Sequence, residues 1–149
     1  MPPKGARSPR RRGAPPGDDV MWSLMQTAQV IESRLEDALA QVQLSGAKLF
    51  ALTRLVEADE PLTLGELAAR CACVRSNITQ LVDRLEAEKL VRRVDDAEDR
   101  RSLRAAITPL GRERQAAGAR KVEEVRRKLA KTLGTLDHDA LKRALSDLG

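Results

Sequence analysis

Between Arg75 and Lys89 the chain runs RSNITQLVDRLEAEK. The apolar side chains Ile78, Leu81, Val82 and Leu85 recur at i, i+3, i+4 and i+7, the spacing of one helix face. Stepping about 100° per residue from that face places Ser76, Gln80, Asp83 and Ala87 directly opposite it. Thr79 falls on one shoulder of this outward row, Asn77 and Arg84 on the other. These side chains suit the edges of base pairs. Glutamine and asparagine can bond adenine through both amide atoms, and arginine can bond guanine or a phosphate. Insertion into a groove favours the N-terminal half of a helix, so Ser76, Asn77, Thr79 and Gln80 are the candidates for base contacts. Arg75 and Arg84 are the candidates for phosphates. A second charged stretch, DDAEDRRS at residues 95–102, sets Asp95, Asp96, Glu98 and Asp99 directly before Arg100 and Arg101. Acids oppose a phosphate partner unless one of them orients an arginine. Asp99 stands two residues from Arg101 and can hold its guanidinium by a charge-assisted bond. Asp95, Asp96 and Glu98 are then charges of a turn tip that discourage sequence-blind sticking.

The elements that must position these residues are legible on either side. PLTLGELAARC carries the capping box Thr63-x-x-Glu66 just before an apolar run, with Leu64, Leu67, Ala68 and Cys71 on the inner face of a short helix. A three-residue break at 72–74 separates it from the helix described above. LVRRV at 90–94 and SLRAAI at 102–107 flank the acidic stretch as two strands of a hairpin, with Leu103, Ala105 and Ile107 facing inward. Thr108 and Pro109 form an N-cap followed by proline at the first helical position, opening a helix to about Thr132. Gly118 should weaken the middle of that helix by ~1 kcal/mol relative to alanine, and Gly134 should end it. Asp137 can cap a last helix with Leu141, Ala144, Leu145 and Leu148 inward. Upstream, Val20, Leu24, Ala28, Ile31, Leu35, Leu39 and Val42 form one apolar stripe along a long helix, as if packed on a large neighbour such as a second subunit. Ser45 can cap the next helix, with Leu49, Leu52, Leu55 and Val56 buried and an end near residues 57–58. A short capped helix, a tight turn, a second amphipathic helix and a hairpin make a helix-turn-helix with a wing. The fold class is mainly α (α+β).

With these elements in order, LTLGELAARCACVRSNITQLVDRLEAEKLVRRVDDAEDRRSLRAAITPLGRE resembles the core of the MarR family of winged helix-turn-helix transcriptional regulators. LVDRLEAEKLV, the acidic-then-DRR wing and the ITPLGRE step are its most specific pieces, and the flanking helices extend the resemblance over about residues 20–148. The resemblance implies an obligate homodimer, usually a repressor, on a pseudo-palindromic operator of double-stranded DNA. It implies that residues 18–44 and 109–149 supply dimerisation helices around a DNA-binding domain at 45–108. It also implies that Arg101 enters the minor groove, steadied by Asp99. Members of the family often bind small aromatic anions between the two regions, which makes Trp22 the candidate ligand contact. Val74 stands where the family has a polar cap, unless Ser76 caps a helix that starts later. Lys89 stands where the family prefers glycine, and Cys71 and Cys73 where it has aliphatics.

Composition narrows the classes. Residues 1–17 hold Lys4, Arg7, Arg10, Arg11 and Arg12 and no acid, which equals the net charge of +5 of the whole chain. With five prolines and three glycines, this segment is expected to be a disordered basic arm. Residues 18–66 carry 3 basic against 9 acidic side chains, whereas residues 111–131 carry 8 against 3. A basic arm and a basic second half suit a polyanion; a non-specific, architectural DNA binder led by the arm is the alternative reading. No apolar run approaches a membrane span, and no apolar segment follows the basic N-terminus as in a secretory signal. A cytoplasmic protein on the nucleoid is the expectation. No cofactor or metal is implied, since two cysteines in C-x-C spacing and the distant His138 fall short of the four ligands of structural zinc. Cys71 and Cys73 read as small buried side chains and His138 as an exposed helix-start residue. No glycine-rich phosphate loop and no nucleophile–base pair is present, which argues against an enzyme.

Overall fold

The computed structural model describes residues 18–99 and 102–147. In chain order the elements are α1 (Asp18–Ala40), α2 (Gly46–Ala58), β1 (Leu62–Thr63), α3 (Leu64–Arg70), α4 (Arg75–Ala87), β2 (Val91–Asp95), β3 (Leu103–Ile107), α5 (Pro109–Leu133) and α6 (His138–Ser146). Two compact units divide the chain, Met1–Ser33 and Arg34–Gly149. The basic arm at 1–17, Arg100, Arg101 and Leu148 lie outside the described residues.

In the first unit the described part is the N-terminal portion of α1. Val20, Met21, Trp22, Leu24, Met25 and Val30 are all exposed there. The second unit has an aliphatic core in which Leu52 and Leu55 of α2, Leu67 of α3, Ile78, Val82 and Leu85 of α4 and Val91 of β2 are buried. Burial of each large side chain contributes about 1.5–3 kcal/mol. The one phenylalanine stays at the surface, with the Arg54 guanidinium 4.6 Å from its ring centre.

The expected caps close the helices. Ser45 accepts the Lys48 N–H at 3.3 Å, and Asp137 accepts from Asp139 and Ala140 at 3.1 and 3.0 Å. Thr63 and Glu66 form a reciprocal capping box at 3.1 and 2.8 Å. Thr63 has a second duty that its spacing does not announce. With Leu62 it makes a two-residue strand, so the hairpin becomes a three-stranded antiparallel sheet in the order β1-β3-β2. Leu62 lies opposite Ala105 and Thr63 opposite Arg104. β1 therefore ends short of Leu103, which pairs with Asp95 at the tip end of the hairpin and is 44% exposed rather than inward. Ala106, expected outward, is buried instead.

Among the described residues four turns use the left-handed backbone without glycine, at Gln43, Asp59, Ala72 and Lys89, and the last two follow α3 and α4 of the helix-turn-helix. At the end of α4, Leu90 N–H reaches Leu85 O and Lys89 N–H reaches Glu86 O, both at 2.9 Å, with Lys89 at φ 61. This is a Schellman motif with Lys89 at the position glycine favours. The turn after α3 repeats it, with Cys73 N–H on Ala68 O at 3.1 Å and Ala72 at φ 50.

Glycine is required where helices approach closely. A Cβ on Gly118 would lie 2.8 Å from Leu44 Cδ1 and 2.9 Å from Leu49 Cδ1. The helix-propensity cost expected of Gly118 is thus the condition for seating α5 on these leucines. Gly134 follows α5 in ordinary right-handed backbone, so it ends the helix without using glycine's freedom. Gly111 is tighter still. A Cβ there would overlap the Leu90 carbonyl oxygen and sit 2.8 Å from Ile107 Cγ1. The same carbonyl accepts the Thr108 N–H at 3.1 Å, while Thr108 Oγ1 accepts the Gly111 N–H at 2.9 Å and caps α5.

These two sites should respond in opposite directions. Lys89→Gly should raise the unfolding free energy by about 1 kcal/mol by removing left-handed strain. Gly111→Ala should lower it by at least about 1–3 kcal/mol through overpacking. Denaturant titration of both variants measures the two signs.

Candidate nucleic-acid interface

α3, the turn at 71–74 and α4 form the helix-turn-helix. α4 buries Ile78, Val82 and Leu85, which turns the opposite row outward as the spacing predicts. Ser76, Asn77 and Gln80 are exposed, and their side chains have no hydrogen-bond partner among the described residues. Thr79 is half-buried and its hydroxyl donates to Arg75 O at 2.9 Å, so it remains an acceptor only. Arg75 and Arg84 are exposed and pair with no acid among the described residues. The Arg75 guanidinium reaches back toward Gly65 at the start of α3, with Nη1 3.7 Å from where a Cβ would stand. That position suits a backbone contact better than a base edge. Val74 is the N-cap of α4 and supplies no side-chain bond, so the helix starts at Arg75 and Ser76 lies inside its first turn.

Asp83 stands in the same outward row, where a bare carboxylate would repel a phosphate. It is not bare. Arg93 of β2 bonds the carboxylates of both Asp83 and Glu86, and its own N–H donates to Glu86 Oε1 at 3.1 Å. One arginine on the wing strand thus neutralises two acids of α4 and ties that helix to the sheet. Only a charged strand residue among charged neighbours showed in the sequence. The usable signal was the i, i+3 spacing of Asp83 and Glu86 facing a strand that returns past them.

The wing has a second internal arginine. Arg104 Nε bonds Asp96 Oδ2 at 2.9 Å, while its Nη1 donates to Pro61 O at 3.1 Å and lies 3.4 Å from Glu66 Oε2. Asp96 is therefore no repelling charge at the tip. It is 7% exposed, the one buried acid among the described residues. Its Oδ1 accepts the Glu98 N–H at 3.0 Å, which turns the chain into the tip. The Glu98 N–H foremost, then the Arg104 bond, hold the Asp96 carboxyl below the ordinary aspartate value. Glu66 is likewise held low, first by the Thr63 N–H and hydroxyl of the capping box, then by Arg104 and Arg70. Asp95, Glu98 and Asp99 are exposed as a tip requires. Asp99 O accepts the Ser102 N–H at 2.8 Å. Its proposed partner Arg101, and Arg100, lie outside the described residues.

The remaining candidates are elsewhere. Trp22 is 58% exposed on α1. His138 is exposed at the first position of α6, with Nε2 2.9 Å from Leu133 O. Cys71 and Cys73 are half-buried free thiols. Burial, then the neighbouring Cys73, push the Cys71 thiol up, and Arg54 only partly opposes this. A reactive thiol needs the reverse, a lowered value with exposure. Among the described residues no helix is long and apolar enough to cross a membrane.

The Asp96 network has a definite pH signature. A carboxyl whose folded value is depressed contributes stability that is complete above its unfolded value and lost as pH falls through the folded one. The stability gap between the parent protein and Asp96→Asn should hold from neutral pH down to about 4, then close below the ordinary aspartate value of 3.8. Urea unfolding of both between about pH 7 and 2.5 measures it. A gap that widens on acidification would contradict the network.

Comparison with known proteins agrees with this geometry. A profile described as the MarR family matches residues 42–102. The HTH-type transcriptional regulator YsmB of Bacillus subtilis is 32% identical over 62% of this chain; the match spans 63% of that relative, less than two thirds of its length. AbsC, a MarR family transcriptional regulator from Streptomyces coelicolor, is 26% identical and superposes with a TM-score of 0.75 over 92% of this chain and 95% of its own. The transcriptional repressor CouR, solved on a 23-mer DNA duplex, shares the fold at 24% identity, with a TM-score of 0.74 over 91% of this chain and 99% of its own. CouR from Rhodococcus jostii RHA1 has also been solved with p-coumaroyl-CoA, at 23% identity and a TM-score of 0.68 over 89% and 90% of the two chains. Residues 42–102, which span the helix-turn-helix and most of the wing, thus match the MarR family model, and the chain shares its fold with solved MarR family transcriptional regulators.

Proposed function

We propose that the protein is a homodimeric repressor of a pseudo-palindromic operator, with α4 in the major groove and the wing beside the minor groove. The observation that carries this reading is the outward face of α4. Ser76, Asn77 and Gln80 have hydrogen-bonding groups that no described residue uses, and the acid in their row, Asp83, is neutralised from within by Arg93. Such a face is prepared for base edges and for a polyanion together. Arg75 and Arg84 flank it as phosphate ligands, Thr79 contributes as an acceptor, and Arg101, oriented by Asp99, reaches the minor groove. Exposed apolar side chains on α1 and α6, among them Leu24, Met25 and Leu145, support a second copy as the partner of these helices. The capture of p-coumaroyl-CoA by CouR supports a small aromatic anion as the effector, with Trp22 as its contact.

The competing reading, an architectural DNA binder, makes a different demand. A specific regulator should prefer a duplex selected from a random pool over unselected DNA by about 10³-fold or more. Its footprint should show half-sites about 10 bp apart. Arg101→Ala should lower affinity for that duplex by about tenfold or more, roughly 1–3 kcal/mol. Unchanged affinity at fixed salt would remove Arg101 from the interface.

Arg93 should act through Asp83. Arg93→Ala should lower affinity by up to roughly fivefold, ~1 kcal/mol, with the larger loss at low salt. Adding Asp83→Asn should recover part of that loss, since the repelling charge is then gone. A double variant as weak as the single one would mean that Arg93 matters for packing alone.

A further inference from the structure

Four described helices are capped by a polar side chain, from Ser45, Thr63, Thr108 and Asp137. α4 is not. Its N-cap, Val74, makes no side-chain bond and has a β-branched side chain. Valine is among the poorest N-caps, and a serine there would favour folding by roughly fivefold. Val74 is also 63% exposed, more than any other large apolar residue described. Core packing therefore does not explain it. The side chain costs stability and exposes apolar surface at the mouth of the helix whose next residues, Arg75, Ser76 and Asn77, are all exposed.

We propose that Val74 is a specificity-determining residue that packs on the C5-methyl group of a thymine in the major groove. The inference rests on the regulator reading above. The N-terminal end of the second helix of a helix-turn-helix meets the base edges. Those edges present donors, acceptors and one prominent apolar group, the thymine methyl. Valine can satisfy no donor or acceptor, and covering one would cost desolvation without a return bond. The methyl is the edge that fits it. Asn77 and Gln80 would then discriminate by hydrogen bonds further along the helix, while Val74 discriminates by burial.

The test uses the full chain and a duplex selected from a random pool with the parent protein. Each thymine is replaced in turn by deoxyuridine, which removes only the methyl. One thymine per half-site should show a loss of about three- to fivefold in affinity, as expected for burial of one methyl. Val74→Ala and Val74→Ser should bind the thymine and uracil duplexes alike. Val74→Ser should also melt about 3 °C higher, because the cap is restored. A methyl-sensitive position that persists unchanged in Val74→Ala, or none in the parent protein, would overturn the assignment to Val74 while leaving the regulator reading in place. Failure to select any sequence would overturn both.

Discussion

The carbonyl of Leu90 is the point at which four elements meet. The turn that closes α4 places left-handed Lys89 just before it, and β2 starts one residue after it. Thr108, which closes β3 and caps α5, donates its N–H to that oxygen. Gly111, in the first turn of α5, lies so close that no side chain fits between them. The Leu90 side chain is itself fully buried. Helix, both long strands and α5 therefore share one anchor, and none can shift there without straining the others. The outward row of α4 and the wing inherit their relative placement from this constraint. Interiors packed to crystal density transmit such constraints because a displaced group finds no free volume.

Charge refines what packing establishes. Arg93 and Arg104 sit diagonally on neighbouring strands, one turned to the acids of α4 and the other to Asp96, Pro61 and Glu66. The exposed pairs among these contribute about 0–1 kcal/mol each, whereas one fully buried leucine contributes about 1.5–3 kcal/mol. Burial thus decides whether the domain folds. The arginines decide which charges remain outside: Arg75 and Arg84 pair with no described acid, while Asp83, Glu86 and Asp96 are compensated from within. A chain with abundant acid in its wing can in this way present a face suited to a polyanion.

Most of this was legible in the sequence where the signal is local. Periodicity located the buried face of α4, and Ser45, Thr63 with Glu66, Thr108 with Pro109, and Asp137 marked helix starts that the structure places at the same residues. Signals that depend on distant partners were not legible. β1 carries no sequence signal of its own, because a two-residue strand has no alternation and Thr63 is at the same time a helix cap. Asp96 looked like its exposed neighbours because its partner, Arg104, arrives from the opposite strand. Gly118 looked like a weakness because Leu44 and Leu49, which need the space, come from a different part of the chain. The apolar stripe expected over residues 20–42 runs past the end of α1 at Ala40, and its N-terminal members Val20 and Leu24 are exposed.

The central claim is that the N-terminal half of α4 meets base edges. Side-chain amide resonances test it directly, because Asn77 and Gln80 are exposed and bonded to no described residue, whereas Gln115 Nε2 is 3.2 Å from Thr53 Oγ1 and serves as an internal reference. Addition of a selected duplex should shift the amide signals of Asn77 and Gln80 and slow their exchange, leave Gln115 in place, and do neither with random duplex of equal length at the same salt. Identical responses to both duplexes, or a response confined to other amides, would contradict the account.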